Sequence, residues 1–250
     1  MEPALTGPVH GASFYPGDLQ CDPRAIARAL AREAAGAGAT IREGCMVDEV
    51  AGDGIIADGA RIPAGAVVIA AGPWSAALAA SAGLPLPLEP RKGQLVRLAA
   101  PEAGLIRHKV VDGSYLASVA SGGRGLEVST VVETTYEGDV LVGSSRERRG
   151  FDTTVDPAVS EAMVARAARL FPRLPRLRPA AAWAGLRPWL PDHLPAIGPS
   201  RAVPGVWLAT GHEGAGVALG PVTGRLVAQL YAGERPVVDP APFDPDRFSR

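Results

Sequence analysis

Cysteine, net charge and long apolar runs are all scarce in this sequence. The only cysteines, Cys21 and Cys45, form no Cys-x-x-Cys pair and no Cys/His cluster, which argues against zinc or iron–sulfur sites and for a reducing compartment. A formal net charge of −1 gives no electrostatic reason to expect nucleic acid or a membrane surface as a partner. No apolar run approaches the roughly 20 residues that span a bilayer, and no signal-peptide pattern is present. We therefore expect a cytoplasmic protein without a metal site.

Two apolar runs with a glycine at or just after their end predict buried strands, and the first is typical of a strand buried on both faces, as in a parallel sheet. They are Gly65–Gly72 and Gly205–Thr210, and a helix is predicted after each of them. The second helix ends at Gly233, and the first begins near Pro73. Because open α/β sheets bind ligands at the carboxyl ends of their strands, both glycine turns are candidate ligand sites.

The turn after the second run contains three glycines in the stretch Gly211-His212-Glu213-Gly214-Ala215-Gly216. Without Cβ atoms a ligand can approach the backbone closely, and the free N–H groups and positive dipole end of the following helix would face it. An anion or an electron-rich carbonyl suits that position. The same glycines also fit a tight strand-to-helix turn that holds no ligand.

The remaining pattern predicts an α/β (α+β) fold with an inserted sheet domain. A helix is expected from Asp22 or Pro23 to Gly36, then a strand at Ala39–Ile41 and a hairpin over Met46–Ala57. From residue 85 short strands dominate, with one helix starting at Asp156-Pro157; the strands are expected at Gln94–Leu98, Ile106–Val111, Ser114–Ala120, Leu126–Val132, Val140–Gly143 and Ala180–Arg187. We expect residues 1–84 with 189–235 to form one domain, 85–188 a mostly antiparallel sheet, and 236–250 an irregular tail.

Seven segments, in order along the chain, resemble the D-amino-acid-oxidase superfamily of FAD enzymes. The similarity is strongest to the branch of glycine oxidase, sarcosine oxidase and D-amino acid dehydrogenase. The segments cover most of the chain: Phe14–Gln20, Val67–Ser75, Arg91–Gln94, Val142–Ser145 with Gly150–Asp152, Trp183–Pro188, Pro191–Gly198 and Thr210–Gly216. The glycine-rich stretch also resembles small subunits of opine oxidase, hydrogen cyanide synthase and D-hydroxyproline dehydrogenase, which work beside a second flavin or iron–sulfur subunit.

The resemblance implies a partial FAD/NAD(P)-binding, Rossmann-like domain and a substrate-binding sheet. It implies that the flavin is held non-covalently, and the absence of any cysteine after Cys45 excludes a thioether link in the carboxy-terminal half. The flavin's pyrimidine edge would lie at the glycine turn, where backbone N–H groups can stabilise negative charge as it develops. The cofactor-binding residues implied are Val47, Ala71, Gly72, Trp74, Gly211, His212, Glu213, Gly214, Ala215, Gly216 and Val217. From the residues alone, Trp74 is also compatible with a core aromatic position.

Arg187 is the residue that the resemblance assigns to the substrate carboxylate. A guanidinium can bind a carboxylate through two hydrogen bonds, which lysine cannot match. Tyr115 is similar to a sheet tyrosine whose hydroxyl joins this carboxylate clamp. The alternatives are a surface arginine at a strand end and a half-buried sheet tyrosine. No side-chain base is implied, so His212 is expected to be a structural contact on the flavin side, and His193 and His108 turn and surface residues.

The reaction implied is oxidation of the C–N bond of a small amino acid or N-substituted amino acid to the imine, by hydride transfer to flavin N5. Glycine, sarcosine, D-amino acids, proline-type imino acids and opines all fit. Two departures stand out: Gly214 occupies a position where glycine-oxidase-like relatives carry arginine, and no Gly-x-Gly-x-x-Gly unit precedes Phe14. We therefore expect an amino-terminally truncated family member, and the alternative function is a non-catalytic remnant or a subunit that needs a partner to bind FAD.

Overall fold

The structure is a computed structural model that describes residues 2–102 and 104–248. The described part of the chain contains five α-helices and eleven strands. The α-helices are α1 (Pro23–Gly36), α2 (Ser75–Ser81), α3 (Gly113–Ala120), α4 (Pro157–Ala168) and α5 (Gly216–Ala232). The strands are β1 (Val47–Ala51), β2 (Gly54–Ala57), β3 (Ala60–Pro63), β4 (Val67–Ile69), β5 (Glu89–Ala99), β6 (Val110–Val111), β7 (Glu127–Thr134), β8 (Val140–Arg146), β9 (Arg178–Trp189), β10 (Ala196–Pro199) and β11 (Val206–Thr210).

The chain divides into two compact units, each made of two segments. The first unit contains Met1–Asp22 and Arg91–Leu186, and the second contains Pro23–Pro90 and Arg187–Arg250. The domain limits expected from the sequence, residues 1–84 with 189–235 and residues 85–188, stay a prediction.

The first unit is built on a five-stranded sheet of order β6-β7-β8-β5-β9, in which β6–β7, β7–β8 and β5–β8 pair antiparallel. Helix α4 packs its buried face, Val159, Met163 and Ala167, toward a core that includes Val132 and Phe171. Asp156 begins α4 by accepting a hydrogen bond from the N–H of Ala158, and Pro157 takes the first helical position. The antiparallel pairings of this sheet confirm the antiparallel sheet expected from the sequence.

The second unit contains two three-stranded sheets. One is the antiparallel meander β1-β2-β3, which contains the predicted hairpin. The other has the order β10-β11-β4, with β11 parallel to β4 and antiparallel to β10. Its core includes Ile69, Leu84, Leu190, Val206 and Leu208. Helix α5 ends at Gly233 in the left-handed conformation, as the sequence predicts.

Several local predictions are wrong. Residues 39–41 form no strand, and the expected strand at 106–111 is reduced to Val110–Val111. Residues 114–120 form helix α3 rather than a strand, because Asp112 caps a helix there and accepts a hydrogen bond from the N–H of Tyr115. The tail is not fully irregular, since Ala241–Phe243 and Pro245–Phe248 are 3-10 helices.

Candidate functional site

The two predicted glycine turns lie side by side in the second unit. Strands β4 and β11 are parallel, with Val67 opposite Val206 and Ile69 opposite Leu208, so their carboxyl ends share one edge of the sheet. The hydroxyl of Thr210 donates a hydrogen bond to the carbonyl oxygen of Gly72, 3.1 Å away. The structure thus brings the two predicted ligand-binding turns together, through a threonine that the sequence analysis did not single out.

The glycine-rich turn requires glycine at position 211. Gly211 has φ +85°, and a Cβ placed there would lie 2.3 Å from Cδ1 of Leu190. Residues Glu213–Ala215 then form one turn of 3-10 helix, after which α5 begins at Gly216. Within residues 2–102 and 104–248 no side chain caps the start of α5, and Gly214 and Val217 are exposed. The first N–H groups of this helix therefore face a position that suits an anion or a carbonyl oxygen.

His212 is fixed by a contact with the helix that follows it, α5. Its Nε2 atom lies 2.8 Å from the hydroxyl oxygen of Thr223, which is 6% exposed. Burial lowers the pKa of His212 below its usual value of 6.5, so the imidazole is neutral at physiological pH. The contact with Thr223 fits a structural role for His212.

A second histidine, which the sequence analysis expected only to lie in a turn, also contacts this region. His193 and Glu213 both have left-handed backbone conformations, with φ of 59° and 49°. The Nδ1 atom of His193 lies 3.5 Å from Oε2 of Glu213, and its ring meets that of Trp189 edge to face with centroids 5.7 Å apart. The turn after β9 is thus joined to the glycine-rich turn. A single sequence carries no signal for this pairing.

The residues expected on the nucleotide side also belong to the second unit. Val47 begins β1, Ala71 follows the end of β4, and Gly72 opens a short 3-10 helix with φ +53°. The Trp74 side chain is 59% exposed. The alternative that Trp74 is a core aromatic is therefore wrong.

The two expected substrate residues belong to different units. Arg187 is half-buried near the end of β9 in the second unit, two residues before the buried Trp189. Tyr115 is half-buried on α3 in the first unit. The guanidinium carbon of Arg146 lies 4.5 Å from the centroid of the Tyr115 ring. Neither the burial of Arg146 nor this stacking could be predicted from the sequence.

Asp112 anchors the helix that carries Tyr115. Its carboxylate accepts hydrogen bonds from the N–H groups of Tyr115 and Thr130, from the Ser114 hydroxyl and from Nε of Arg166. Burial raises the pKa of Asp112, but the hydrogen bonds and the Arg166 charge outweigh burial and lower it below the usual value of 3.8. Asp112 is therefore ionised at neutral pH and holds α3 in place.

Two other kinds of feature are not found among the described residues. None of the helices within residues 2–102 and 104–248 is both long and apolar enough to cross a membrane. Within the same ranges, no group of three or more His, Cys, Asp and Glu side chains is arranged to hold a metal ion.

Comparison with known proteins identifies the family. Residues 1–230 match the model of the family described as DAO, FAD dependent oxidoreductase. The glycine oxidase of Pseudomonas aeruginosa is 38% identical over 179 residues, 72% of this chain and 45% of that protein. Hydrogen cyanide synthase subunit HcnC of the same species is 31% identical over 99% of this chain and 57% of its own length.

A solved structure extends the similarity to the fold. The crystal structure of glycine oxidase from Geobacillus kaustophilus superimposes with a TM-score of 0.77 at 33% identity, over 89% of this chain and 57% of that one. The chain spans about half the length of the curated relatives it matches. The family match and the shared mixed α/β fold show that this chain belongs to the DAO family of FAD-dependent oxidoreductases.

Proposed function

We propose that this chain provides the flavin-edge and substrate-binding parts of an FAD-dependent oxidoreductase that oxidises the C–N bond of a small amino acid or N-substituted amino acid to the imine. The observation that carries the proposal is the joining of two glycine turns by the Thr210–Gly72 hydrogen bond, beside the uncapped start of α5. Such a site can accept an electron-rich, planar group along its edge.

The residues at this edge fit a flavin. The exposed backbone from Gly214 to Val217 would donate hydrogen bonds to the carbonyl edge of the ring, and no Cβ at Gly214 or Gly216 blocks the approach. Val47, Ala71, Gly72 and Trp74 would contact the nucleotide, with the exposed indole of Trp74 available to it. When bound, FAD would accept the hydride that leaves the substrate, and with it the two electrons of the oxidation.

Arg187, in the second unit, would bind the substrate carboxylate, and Tyr115, in the first unit, is a further proposed substrate-binding residue. The guanidinium fork matches the two carboxylate oxygens, so it orients the substrate as well as binding it. Glycine, sarcosine, a D-amino acid, a proline-type imino acid or an opine would each provide this carboxylate. Gly214 adds no cation to the turn, which leaves Arg187 as the charged group of the proposed clamp.

The proposed reaction uses no side-chain base. His212 is the histidine within the glycine-rich turn, but its Nε2 atom contacts Thr223 and burial keeps its imidazole neutral. We propose that the substrate enters with its amine already deprotonated, and that water hydrolyses the imine after release. The role of this chain is then to bind, orient and exclude water.

Reconstitution with FAD tests this proposal. The purified chain is mixed with FAD, gel-filtered and examined for flavin absorbance near ~450 nm, a property of oxidised flavin. The loaded protein is then mixed with glycine, sarcosine, D-alanine, L-proline and an opine without oxygen, and bleaching identifies the substrate. A flavin-loaded chain that no C–N substrate bleaches would contradict the proposed activity.

A second candidate function is that of a subunit, or a non-catalytic remnant, that needs a partner to bind FAD. Two observations favour it. Strand β4 is an edge strand of its three-stranded sheet within the described residues, and no described residue of α1 is buried, with Leu30 51% exposed. A folded, colourless chain that gains flavin only when co-expressed with a second flavin or iron–sulfur subunit supports this candidate.

A further inference from the structure

A buried arginine lies directly behind Tyr115 in the first unit. The side chain of Arg146, on β8, is 1% exposed. Its Nη1 atom donates to the hydroxyl of Ser118 at 2.7 Å and to the hydroxyl of Ser144 at 3.3 Å, so the guanidinium joins α3 to the sheet. Its Nε atom is buried and has no hydrogen-bond partner among the residues that the structure describes. Burying the cation here costs desolvation free energy, because a guanidinium cannot become neutral by losing a proton.

The positive charge of Arg146 has no opposite charge beside it in the part of the chain that the structure describes. Among the described residues no carboxylate lies within ion-pair distance of Arg146, and its contacts are hydroxyls and the Tyr115 ring. A buried charge without an opposite partner stabilises a negative group brought close to it.

Tyr115 is half-buried and its ring lies against the Arg146 guanidinium. The Arg146 guanidinium carbon lies 4.5 Å from the ring centroid, within the range of a cation–π contact. The contact fixes the ring on α3, and a cation at the ring makes the phenol O–H a stronger donor to an anion. Hydrogen bonds to ionised acceptors are about twice as strong as neutral ones, so this effect favours a carboxylate over a neutral ligand.

We propose that Arg146 is a positioning residue that acts through Tyr115: it holds the phenol ring and supplies the positive charge that makes Tyr115 selective for the carboxylate of a small ligand. This inference rests on the role given to Tyr115 in the proposed function. It adds a residue that makes no contact with the ligand itself and that none of the seven resembling segments assigned.

We expect the chain to fold when Arg146 is replaced by methionine, because both serine hydroxyls that contact Arg146 have other hydrogen-bond partners. In Arg146→Met the Ser118 hydroxyl keeps its hydrogen bond to the Tyr115 carbonyl oxygen at 2.8 Å, and the Ser144 hydroxyl keeps that of Ser129 at 3.2 Å. Replacing a buried ion by an apolar side chain of similar volume is often neutral or stabilising. Arg146→Gln, which is polar but uncharged, serves as a second variant if Arg146→Met does not fold. Arg97→Met is the matched control, because Arg97 lies on the same sheet but pairs with Asp139 at 3.5 Å.

The experiment follows Tyr115 by fluorine NMR in the complete chain. All four tyrosines are replaced by 3-fluorotyrosine, and Tyr115→Phe identifies the Tyr115 resonance. Acetate and glycine are titrated at constant ionic strength. We expect Arg146→Met and Arg146→Gln to move the ligand-free resonance and to weaken carboxylate binding about tenfold, between the sizes of exposed and desolvated cation–π contacts. Arg146→Lys should recover part of the affinity, and Arg97→Met should match the parent chain.

The outcomes separate this inference from the proposed function. An unchanged Tyr115 resonance and unchanged carboxylate affinity in both Arg146 variants would overturn the role of Arg146 and leave Tyr115 in the clamp. Equal carboxylate affinity in the parent chain and in Tyr115→Phe would overturn the role of Tyr115, and the role of Arg146 with it. The same weakening in Arg97→Met would show a general charge effect and would also overturn the inference.

Discussion

The hydroxyl of Thr210 donates a hydrogen bond to the carbonyl oxygen of Gly72 across the carboxyl ends of two parallel strands. Thr210 is 1% exposed, and Gly72 has the left-handed φ of +53°. The bond ties the last residue of β11 to the turn that follows β4, so the two glycine turns keep a fixed distance. We therefore expect this hydrogen bond to matter for a ligand that spans both turns.

We expect Thr210→Val to destabilise the chain by about 1–3 kcal/mol, because it removes a buried donor and leaves the Gly72 carbonyl without that hydrogen bond. Valine has nearly the shape of threonine, so packing against the neighbouring strands is kept. Thr210→Ser, which retains the hydroxyl, is the control and should lose less. Urea unfolding followed by circular dichroism measures both, and equal stability of Thr210→Val and the parent would contradict the prediction.

Two glycine-to-alanine substitutions should change stability in opposite directions. At Gly211 the backbone has φ +85° and a Cβ would lie 2.3 Å from Leu190, so Gly211→Ala should destabilise the chain by more than about 1 kcal/mol. At Gly224, inside α5, a Cβ meets nothing within 4 Å, and Gly224→Ala should stabilise by about 0.5–1 kcal/mol. Thermal unfolding of both variants beside the parent measures the difference. Two shifts of the same sign would show that the Gly211 turn can relax around a methyl group.

The sequence predicted the parts of the site that depend on backbone pattern. Apolar runs that end at glycine identify the buried strands, and parallel strands place their carboxyl ends together, so Gly72 and the Gly211 turn could be assigned to one edge. The end of α5 followed from Gly233, whose φ is +68°. These features depend on local residue types and on spacing, which a single sequence contains.

The sequence did not predict features that depend on side-chain partners far apart in the chain. A strand was expected over residues 114–120, but Asp112 caps a helix there, and Arg166, which lies 54 residues from Asp112, holds the Asp112 carboxylate in place. The pairing of His193 with Glu213 and the stacking of Arg146 on Tyr115 are likewise long-range. Nothing in residue spacing distinguishes a buried arginine such as Arg146 from a surface one.

His212 should make stability depend on pH near neutrality. Its folded-state pKa is lowered below 6.5 by burial, so the unfolded chain binds a proton at a higher pH than the folded chain does. Its contribution to stability is therefore complete above about pH 7 and declines as the pH falls through the window between the two pKa values. His212→Gln cannot titrate and should show a smaller loss between about pH 8 and about pH 5. Parallel stability curves for parent and variant would rule out the buried, neutral imidazole.

Asp112 should control both the stability of α3 and its behaviour in acid. Asp112→Ala removes the helix cap and the partner of Arg166, and we expect a loss of about 2–3 kcal/mol. Because the pKa of Asp112 is lowered below 3.8, its contribution is present above about pH 4 and is lost as the pH falls through the folded-state pKa. Asp156→Ala removes the cap of α4 alone and is expected to cost about 1 kcal/mol. Denaturant titrations at neutral and acidic pH compare the two variants, and an equal cost would mean that Asp112 is only a cap.

Arg187→Lys tests the proposed binding of the substrate carboxylate by replacing a two-pronged guanidinium with a compact ammonium group of the same charge. Lysine keeps the positive charge but cannot form two parallel hydrogen bonds with one carboxylate, so we expect substrate affinity to fall about 10- to 100-fold while flavin binding is retained. The measurement is the substrate concentration that half-saturates bleaching of the FAD-loaded protein. Arg178→Lys, at the exposed start of the same strand, is the control and should behave like the parent. Because both variants keep the net charge, a loss confined to Arg187→Lys would come from geometry rather than from the field of the protein, and unchanged affinity in Arg187→Lys would remove Arg187 from the clamp.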